Sequence, residues 1–405
     1  MESQYWNDEV QQSAWLLDYD RRCMLDCADT FQNLAAVMGE MNWELEQEKT
    51  PDDREELLRR RQAMESRKQY AAHMRQMAGM LQSVADTSVQ LIRLGGRQEK
   101  QIVRALAGEG IVVEDIYLLR GKEDRLQITI SVRLTKHKSM TVEEIAGYLS
   151  VLMDIRLVPQ KRNPYFVGEE SVSLYFEEEP IFSCLTAAAC ATEETESVSG
   201  DSYSFLETDD SVAMILSDGV GSGESAARDS GRIVDLTERI LDAGLGPDMA
   251  MLFLNGMAGA EGDENRMATL DLCRIDLYRG ECETVKAGGA AGFIKRSDRV
   301  EKIQSRQLPL GMSASEDISE KKWQLNSGDL VILVSDGVVQ NWPCGDGEYL
   351  LEQKIASLNV SSPVDLANLI LRYAIRQCGG KIRDDMTVLV TGIWKNEERE
   401  IEDIE

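Results

Sequence analysis

Apolar residues recur at helical spacing from about Asp8 to Glu48 (Leu16, Leu17, Met24, Leu25, Phe31, Leu34, Val37, Met38, Met41, Leu45), which predicts a long helix broken at Gly39. Thr50-Pro51-Asp52-Asp53 then offers a cap residue, a proline at the first helical position and an acidic first turn, so a second helix is expected from Arg54 to Leu94. Met64, Ala71, Met74, Ala78, Leu81 and Ala85 form a seam on it, short and Ala-rich, that suits packing within the chain and a dimeric coiled coil equally. Gly95-Gly96 ends it. From Gly110 the period changes: Ile111–Leu119 and Leu126–Leu134 read as strands joined by a charged turn, Arg120 to Asp124. A capped helix follows from Thr141 to about Met153, and Val172–Phe176 reads as a further strand.

The acidic stretch Glu177-Glu178-Glu179-Pro180 marks a domain boundary, beyond which strands and glycine turns dominate to Trp394. The expected organisation is therefore a long-helical regulatory region (1–109), a small α+β regulatory domain (110–179), a larger domain (180–395) and a polar tail (396–405). Within the larger domain two apolar runs end in one tripeptide. Val212–Leu216 leads into Ser217-Asp218-Gly219, and Leu330–Val334 leads into Ser335-Asp336-Gly337. Asp384-Asp385 precedes a third run, Met386–Val390, and Asp201 lies upstream of the first, in Ser199-Gly200-Asp201-Ser202. Carboxylates delivered by rigid strand ends suit a hard cation, and these read as one site assembled from distant segments.

Composition narrows the chemistry. A net charge of −27 argues against nucleic acid as a partner, since phosphate neutralisation needs clustered Lys and Arg. The two histidines, His73 and His137, both lie in the N-terminal half, which disfavours His-ligated zinc and a Ser-His-Asp triad beyond Pro180. Oxygen ligands are left, and these favour Mg²⁺ or Mn²⁺. Eight cysteines occur without a Cys-x-x-Cys pair or a secretory signal, as in a reducing cytoplasm. Cys23 and Cys27 stand one helical turn apart, where a shared buried face is the simpler reading than a metal site. No apolar stretch reaches membrane-spanning length.

The segment Asp218-Gly-Val-Gly-Ser-Gly-Glu224 is not a dinucleotide fingerprint or a P-loop, because its glycine spacing differs and no Lys-Ser/Thr follows. An Asp-Gly hairpin is the plain alternative. It loses ground because a helix is expected next, from Glu224 to about Leu241, with another from Pro247 to Gly256, and because Ser335-Asp336-Gly337 repeats the arrangement.

Taken in order, Gly200-Asp201-Ser202, Ser217-Asp218-Gly219, Ser335-Asp336-Gly337 and Asp384-Asp385-Met386-Thr387 resemble the motifs of type 2C metal-dependent serine/threonine phosphatases. Met267-Ala268-Thr269-Leu270-Asp271, Lys286-Ala287-Gly288-Gly289-Ala290 and Leu308-Pro309-Leu310-Gly311 resemble its bacterial sporulation and stress-response branch, and the Asp218–Glu224 segment with Ala226 resembles the stage II sporulation protein E group most. The resemblance covers Phe182 to Trp394. It implies an α+β fold in which an antiparallel β-sandwich is flanked by helices and holds two Mn²⁺ or Mg²⁺ ions at one end.

It further implies that Asp218 bridges both ions, that the Gly219 carbonyl binds one, that Asp336 and Asp384 complete one shell, and that Asp201 faces the other. Asp385 stands where the pattern usually has Asn, which leaves the choice between Asp384 and Asp385 open, with Asp384 preferred. Two cations sharing Asp218 would lower the pKa of a water between them, so no nucleophilic side chain is required. The run from Cys190 to Gly200 lacks the phosphate-gripping Arg of many eukaryotic relatives, and Val220 replaces a common His.

The implied substrate is a phosphoserine protein, a phosphorylated anti-anti-sigma factor, whose dephosphorylation frees a sporulation sigma factor. A division-machinery protein and a homodimer or higher oligomer are the other implied partners. Full-length members of the group carry a membrane segment upstream, so the chain is expected to be cytoplasmic, either by itself or as the cytosolic part of a tethered protein. The helices that follow Asp218 and the long N-terminal helix form an expected regulatory lever. The competing reading is a catalytically weak or inactive scaffold with the same fold.

Overall fold

The computed structural model describes residues 96–120, 125–135, 139–260, 268–304, 308–310, 321–340, 342 and 346–396, with short stretches between 24 and 36 and between 71 and 92. The helix expected over Asp8–Glu48, the restart at Thr50, the seam position Met64, the turn 121–124 and the tail from 397 lie outside the described residues in whole or in large part, whereas Ala71, Met74, Ala78, Leu81 and Ala85 of the Ala-rich seam are helical, with the three alanines buried. The chain divides into two compact units that part between Glu179 and Pro180.

The first unit is built on a sheet ordered β1-β2-β3-β7-β5, comprising β1 (Gln90–Ile92), β2 (Ile111–Arg120), β3 (Leu126–Leu134), β5 (Leu157–Pro159) and β7 (Val172–Glu178). A two-stranded ribbon joins β4 (Met140–Thr141) and β6 (Phe166–Val167). Helices α1 (Gly96–Gly108) and α2 (Val142–Met153) contribute Ile102, Leu106, Ile145 and Leu149 to one core with Ile128, Ile130, Leu174 and Phe176. Thr141 and Glu144 form the reciprocal capping box that starts α2.

Two expectations are corrected here. The helix predicted to run to Leu94 has given way by Gln90, because Gln90–Ile92 pair with Arg120–Leu118 of β2, and a strand's backbone partners override local helical periodicity. Helix α1 packs into the same core as the strands, so the small unit begins before residue 110.

The second unit has four layers. One sheet is ordered β15-β12-β11-β10-β9 and the other β14-β13-β16-β17-β8. In chain order the strands are β8 (Phe182–Ala191), β9 (Asp201–Glu207), β10 (Ser211–Asp218), β11 (Leu270–Asp276), β12 (Glu281–Ala287), β13 (Gly292–Lys295), β14 (Val300–Ile303), β15 (Lys321–Gln324), β16 (Leu330–Val334) and β17 (Met386–Lys395). The helices are α3 (Gly223–Asp242), α4 (Pro247–Ala260), α5 (Gly347–Ser357) and α6 (Pro363–Gln377).

Strand alternation assigns the layers. Met214 and Leu216 of β10 meet Val331 and Leu333 of β16 and Leu389 of β17 between the sheets. Ala213 and Ile215 face Val234 of α3 and Leu254 of α4, while Ile332 and Val390 face Leu366 and Ile370 of α6. Helices α5 and α6 lie where only strands and turns were expected. Ser362-Pro363-Val364-Asp365 carried the signal of α6, since the Ser362 hydroxyl accepts from the Asp365 amide and Pro363 opens the helix.

Candidate metal centre

The strands that pack the sandwich also place its acids. Asp218 ends β10 on the same parity as Met214 and Leu216, so it follows the face turned toward the second sheet. Antiparallel register sets Asp201, the first residue of β9, directly opposite it. Thr269 secures the strand end. Its hydroxyl accepts the Asp218 amide (3.0 Å), its amide donates to the Asp218 carbonyl (2.9 Å), and its carbonyl accepts the Ser217 hydroxyl (2.7 Å).

The second Ser-Asp-Gly is held by a different neighbour. The Ser335 amide donates to the Thr387 carbonyl (3.0 Å), and the Ser335 hydroxyl accepts the Thr387 amide (2.9 Å). Asp336 then opens a 3₁₀ turn, Asp336–Val338.

The two glycines serve close approach by different segments. A Cβ on Gly219 would lie 2.3 Å from the Ala226 carbonyl oxygen, in the first turns of α3, whereas one on Gly337 would lie 2.2 Å from the Asp385 carbonyl oxygen. Gly219 therefore seats the helix against the Asp218 loop, and Gly337 seats the Asp384-Asp385 loop against Asp336.

Asp384 and Asp385 have unlike surroundings. The buried Asp385 carboxylate accepts the Glu193 amide on Oδ1 (2.9 Å) and the Gly200 amide on Oδ2 (2.6 Å), clasping both ends of the segment that connects β8 to β9. Asp384 is half-buried, and its Oδ1 accepts the Asp385 amide (3.0 Å).

Burial and mutual repulsion act together on the cluster. Asp201 is buried, neither of its carboxylate oxygens receives a hydrogen bond of ordinary geometry, and burial pushes its pKa up to about 7. The nearby Thr387 and Ser335 hydroxyls oppose that rise in part, and the charges of Asp385 and Asp336 add to it. Asp218 and Asp336 interact side chain to side chain, and both are raised, chiefly by burial. Asp201, Asp336 and Asp384 raise Asp218 further. Asp384 is raised by burial first and then by Asp336. Buried Lys286 does not relieve these acids, because its ammonium is committed to Asp271 at 2.5 Å.

Among the described residues no three such side chains already converge to hold one ion. The cluster is a set of buried, mutually repelling oxygen donors, and the orphaned Asp201 oxygens have the chemistry that a divalent cation satisfies. The residues present thus fit the metals that the motifs imply.

Sequence reasoning missed Gln340, and it gave Thr269 and the segment 193–200 no part in holding the acids. Gln340 Nε2 donates to Asp336 Oδ2 (2.7 Å) from four residues on, a spacing at which an amide reaches back over one turn. That bond holds one Asp336 oxygen in place and so orients the carboxylate. Gln340→Ala is expected to weaken Mn²⁺ binding by about tenfold, roughly the value of one hydrogen bond to a charged group. Calorimetric titration with Mn²⁺ checks this, and unchanged affinity would show that Asp336 needs no such support.

The sequence signature of the family described as stage II sporulation protein E matches residues 208–393. Over 328 residues the chain is 30% identical to stage II sporulation protein E of Bacillus subtilis (strain 168), which covers 79% of this chain and 39% of that protein. It is 24% identical over 200 residues to the phosphoserine phosphatase RsbU of the same organism, covering 48% of this chain and 59% of RsbU. The chain thus spans less than two thirds of the length of these curated relatives. A solved structure of the PP2C phosphatase domain and a fragment of the regulatory domain of SpoIIE from Bacillus subtilis superposes with a TM-score of 0.62 at 27% identity. The match covers 85% of this chain and 100% of that one. No helix among the described residues is long and apolar enough to cross a membrane.

Proposed function

We propose that the chain is a Mn²⁺- or Mg²⁺-dependent phosphatase acting on phosphoserine in a protein, a reading supported by the match of residues 208–393 to the stage II sporulation protein E signature and by the likeness of its fold to a PP2C phosphatase domain. The observation that carries this is the meeting of Asp201, Asp218, Asp336 and Asp384, from four segments, at one end of the sandwich with their carboxyls raised and, among the described residues, no basic side chain that lowers them. An activated water and neutralisation of the phosphoryl oxygens are what a bound cation pair supplies.

The protein's part is placement. Asp218, pinned by Thr269, lies opposite Asp201 and interacts with Asp336, so it would be the ligand shared by bound cations, with the Gly219 carbonyl beside it. Gln340 orients Asp336. Asp384 is a ligand, whereas Asp385, engaged by the amides of Glu193 and Gly200, fixes the loop that presents Asp201. Exchanging each of the pair separates these roles. Asp384→Asn should abolish turnover with little change in melting temperature, while Asp385→Ala should also lower the melting temperature, having orphaned two backbone amides. Equal melting temperatures for the two variants would refute the division.

Raised carboxyls also set a pH dependence. The folded, metal-free protein holds a proton on Asp201 up to about pH 7, whereas the unfolded chain releases it near pH 4, so metal-free stability is full below about pH 4 and declines as pH rises toward 7. The decline is on the order of a few kcal/mol. Mn²⁺ binds the charged forms and should reverse the slope. Melting temperature against pH, with chelator and with Mn²⁺, checks both signs, and parallel curves would dismiss a cation site at Asp201.

The substrate we propose is a phosphorylated anti-anti-sigma factor, in keeping with the likeness to stage II sporulation protein E and to a phosphoserine phosphatase. The direct test is Mn²⁺-dependent phosphate release from such a protein. Release that is equal without metal, or absent at every Mn²⁺ concentration, would reject the proposal.

A further inference from the structure

From Leu366 to Arg383 there is no acidic residue and there are four basic ones, Arg372, Arg376, Lys381 and Arg383, in a chain whose 71 acids outnumber its 44 bases. All four are exposed. Among the described residues none of them forms an ion pair, although acids stand close by. Glu194 spends its carboxylate on the Ile382 amide (3.3 Å), and Asp384 follows Arg383 directly. A structural role accounts for one of the four. Arg376 lies in the last turn of α6, where a cation suits the helix dipole. Arg372, four residues earlier on the same face, adds a like charge that costs helix stability, and Lys381 and Arg383 lie beyond the helix.

The basic strip ends at the metal centre. Gly379 and Gly380, at φ 72° and 81°, reverse the chain after α6, and it then enters the loop of Asp384. The Cys378 thiol reaches the Gln340 carbonyl (3.9 Å), and Gln340 holds Asp336, so this corner adjoins the acids through space as well as along the chain. The charge of Arg383 is felt by the Cys378 thiol, which places it at the same corner.

We propose that the strip formed by Arg372, Arg376, Lys381 and Arg383 docks an acidic surface of the phosphoprotein substrate while its phosphoserine enters the metal centre, a role that rests on the phosphatase reading. Two observations choose this occupant. A chain of net charge −27 repels an acidic protein over most of its surface, so approach is favoured where bases stand unopposed. No basic residue occurs from Cys190 to Gly200 to hold the phosphate, which leaves affinity to contacts outside the phosphoryl group. Charges at the rim of a contact chiefly speed association and select partners. A nucleic acid fits less well, because its phosphates would run from a short strip onto acidic surface.

The test uses the full chain with Mn²⁺, a phosphorylated anti-anti-sigma factor and p-nitrophenyl phosphate, the last too small to span the strip and the acids. Arg372→Glu with Lys381→Glu leaves Arg376 at the helix end and Arg383 beside Asp384 untouched. The double variant should keep the parent's melting temperature, its kcat on both substrates and its KM for p-nitrophenyl phosphate, while its KM for the phosphoprotein rises about tenfold or more. Arg372→Gln with Lys381→Gln, which removes the charges without reversing them, should show the same change in smaller degree. The parent's KM for the phosphoprotein should climb with added salt, and that of the Glu variant should climb less. An unchanged KM for the phosphoprotein in both double variants, with p-nitrophenyl phosphate still hydrolysed, would overturn the docking site and leave the phosphatase reading standing. A parent that hydrolyses p-nitrophenyl phosphate alone would likewise overturn it, and one that hydrolyses neither substrate would overturn both. Single-stranded DNA that binds the parent through these residues more tightly than the phosphoprotein does would give the strip to nucleic acid and sink the proposal.

Discussion

Asp218→Asn is expected to abolish Mn²⁺ binding and phosphate release together while raising the stability of the metal-free protein. Asp218 faces Asp201 across the β9–β10 register, interacts with the Asp336 carboxyl and feels Asp384, so it carries the heaviest load of like charge in the cluster. An amide of the same shape removes that charge and keeps the backbone bonds to Thr269. Loss of the shared ligand should cost at least about 4 kcal/mol of transition-state stabilisation, roughly a thousandfold in rate. Relief of repulsion acts in the opposite direction on folding. Melting temperature with chelator should rise, and its response to Mn²⁺ should disappear. A variant that still gains stability from Mn²⁺, or that is less stable than the parent without it, would remove Asp218 from the proposed bridging position.

Lys286→Met should cause the largest loss of stability among single changes at this end of the sandwich. Lys286 and Asp271 are directly paired across β11 and β12, both are buried, and their 2.5 Å contact lies one rung deeper than Thr269. Burial already pushes the Asp271 carboxyl up to about 6 against the pull of Lys286. Removing the ammonium leaves an uncompensated buried acid, at a cost of about 3–5 kcal/mol. Without Lys286 the folded state must keep a proton on Asp271 that the unfolded chain gives up near pH 4, so the loss should deepen as pH rises above that value. Urea unfolding at pH 5 and pH 8 measures this. Adding Asp271→Leu in the same chain should recover most of the stability, because a buried pair is replaced at little net cost by apolar groups. A single variant as stable as the parent, or a double variant no better than the single, would show that the pair is not the buried strut that the geometry describes.

Much of the site was legible as sequence because each acid is announced locally. An apolar run followed by Ser-Asp-Gly reports a buried strand, its exposed end and the glycine that permits close packing, and Asp384-Asp385 before Met386 reports the same logic in reverse. Strand β10 and helix α3, with the turn between them, follow from that pattern, as does the capped helix α2. Helix α5 was not legible, since its apolar stripe is narrow and its N-cap, Asp346, sits among glycines. Residues 90–92 misled because their period continues the preceding helix, whereas the backbone of β2 that claims them is distant in the chain.

Composition and local order by themselves determined an acidic, histidine-poor chain whose carboxylates stand at strand ends, and therefore oxygen ligands for a hard cation. Tertiary structure alone decided how those acids divide their work, because register, burial and hydrogen bonding join residues that spacing cannot relate. Antiparallel pairing set Asp201 opposite Asp218, and two amides almost two hundred residues upstream claimed Asp385. The glycines of the two Ser-Asp-Gly turns proved to face different segments, a helix in one case and the third acidic loop in the other. Sequence can supply a charged group and the strand that carries it, but what that charge costs, and what relieves it, depends on neighbours that only folding brings near.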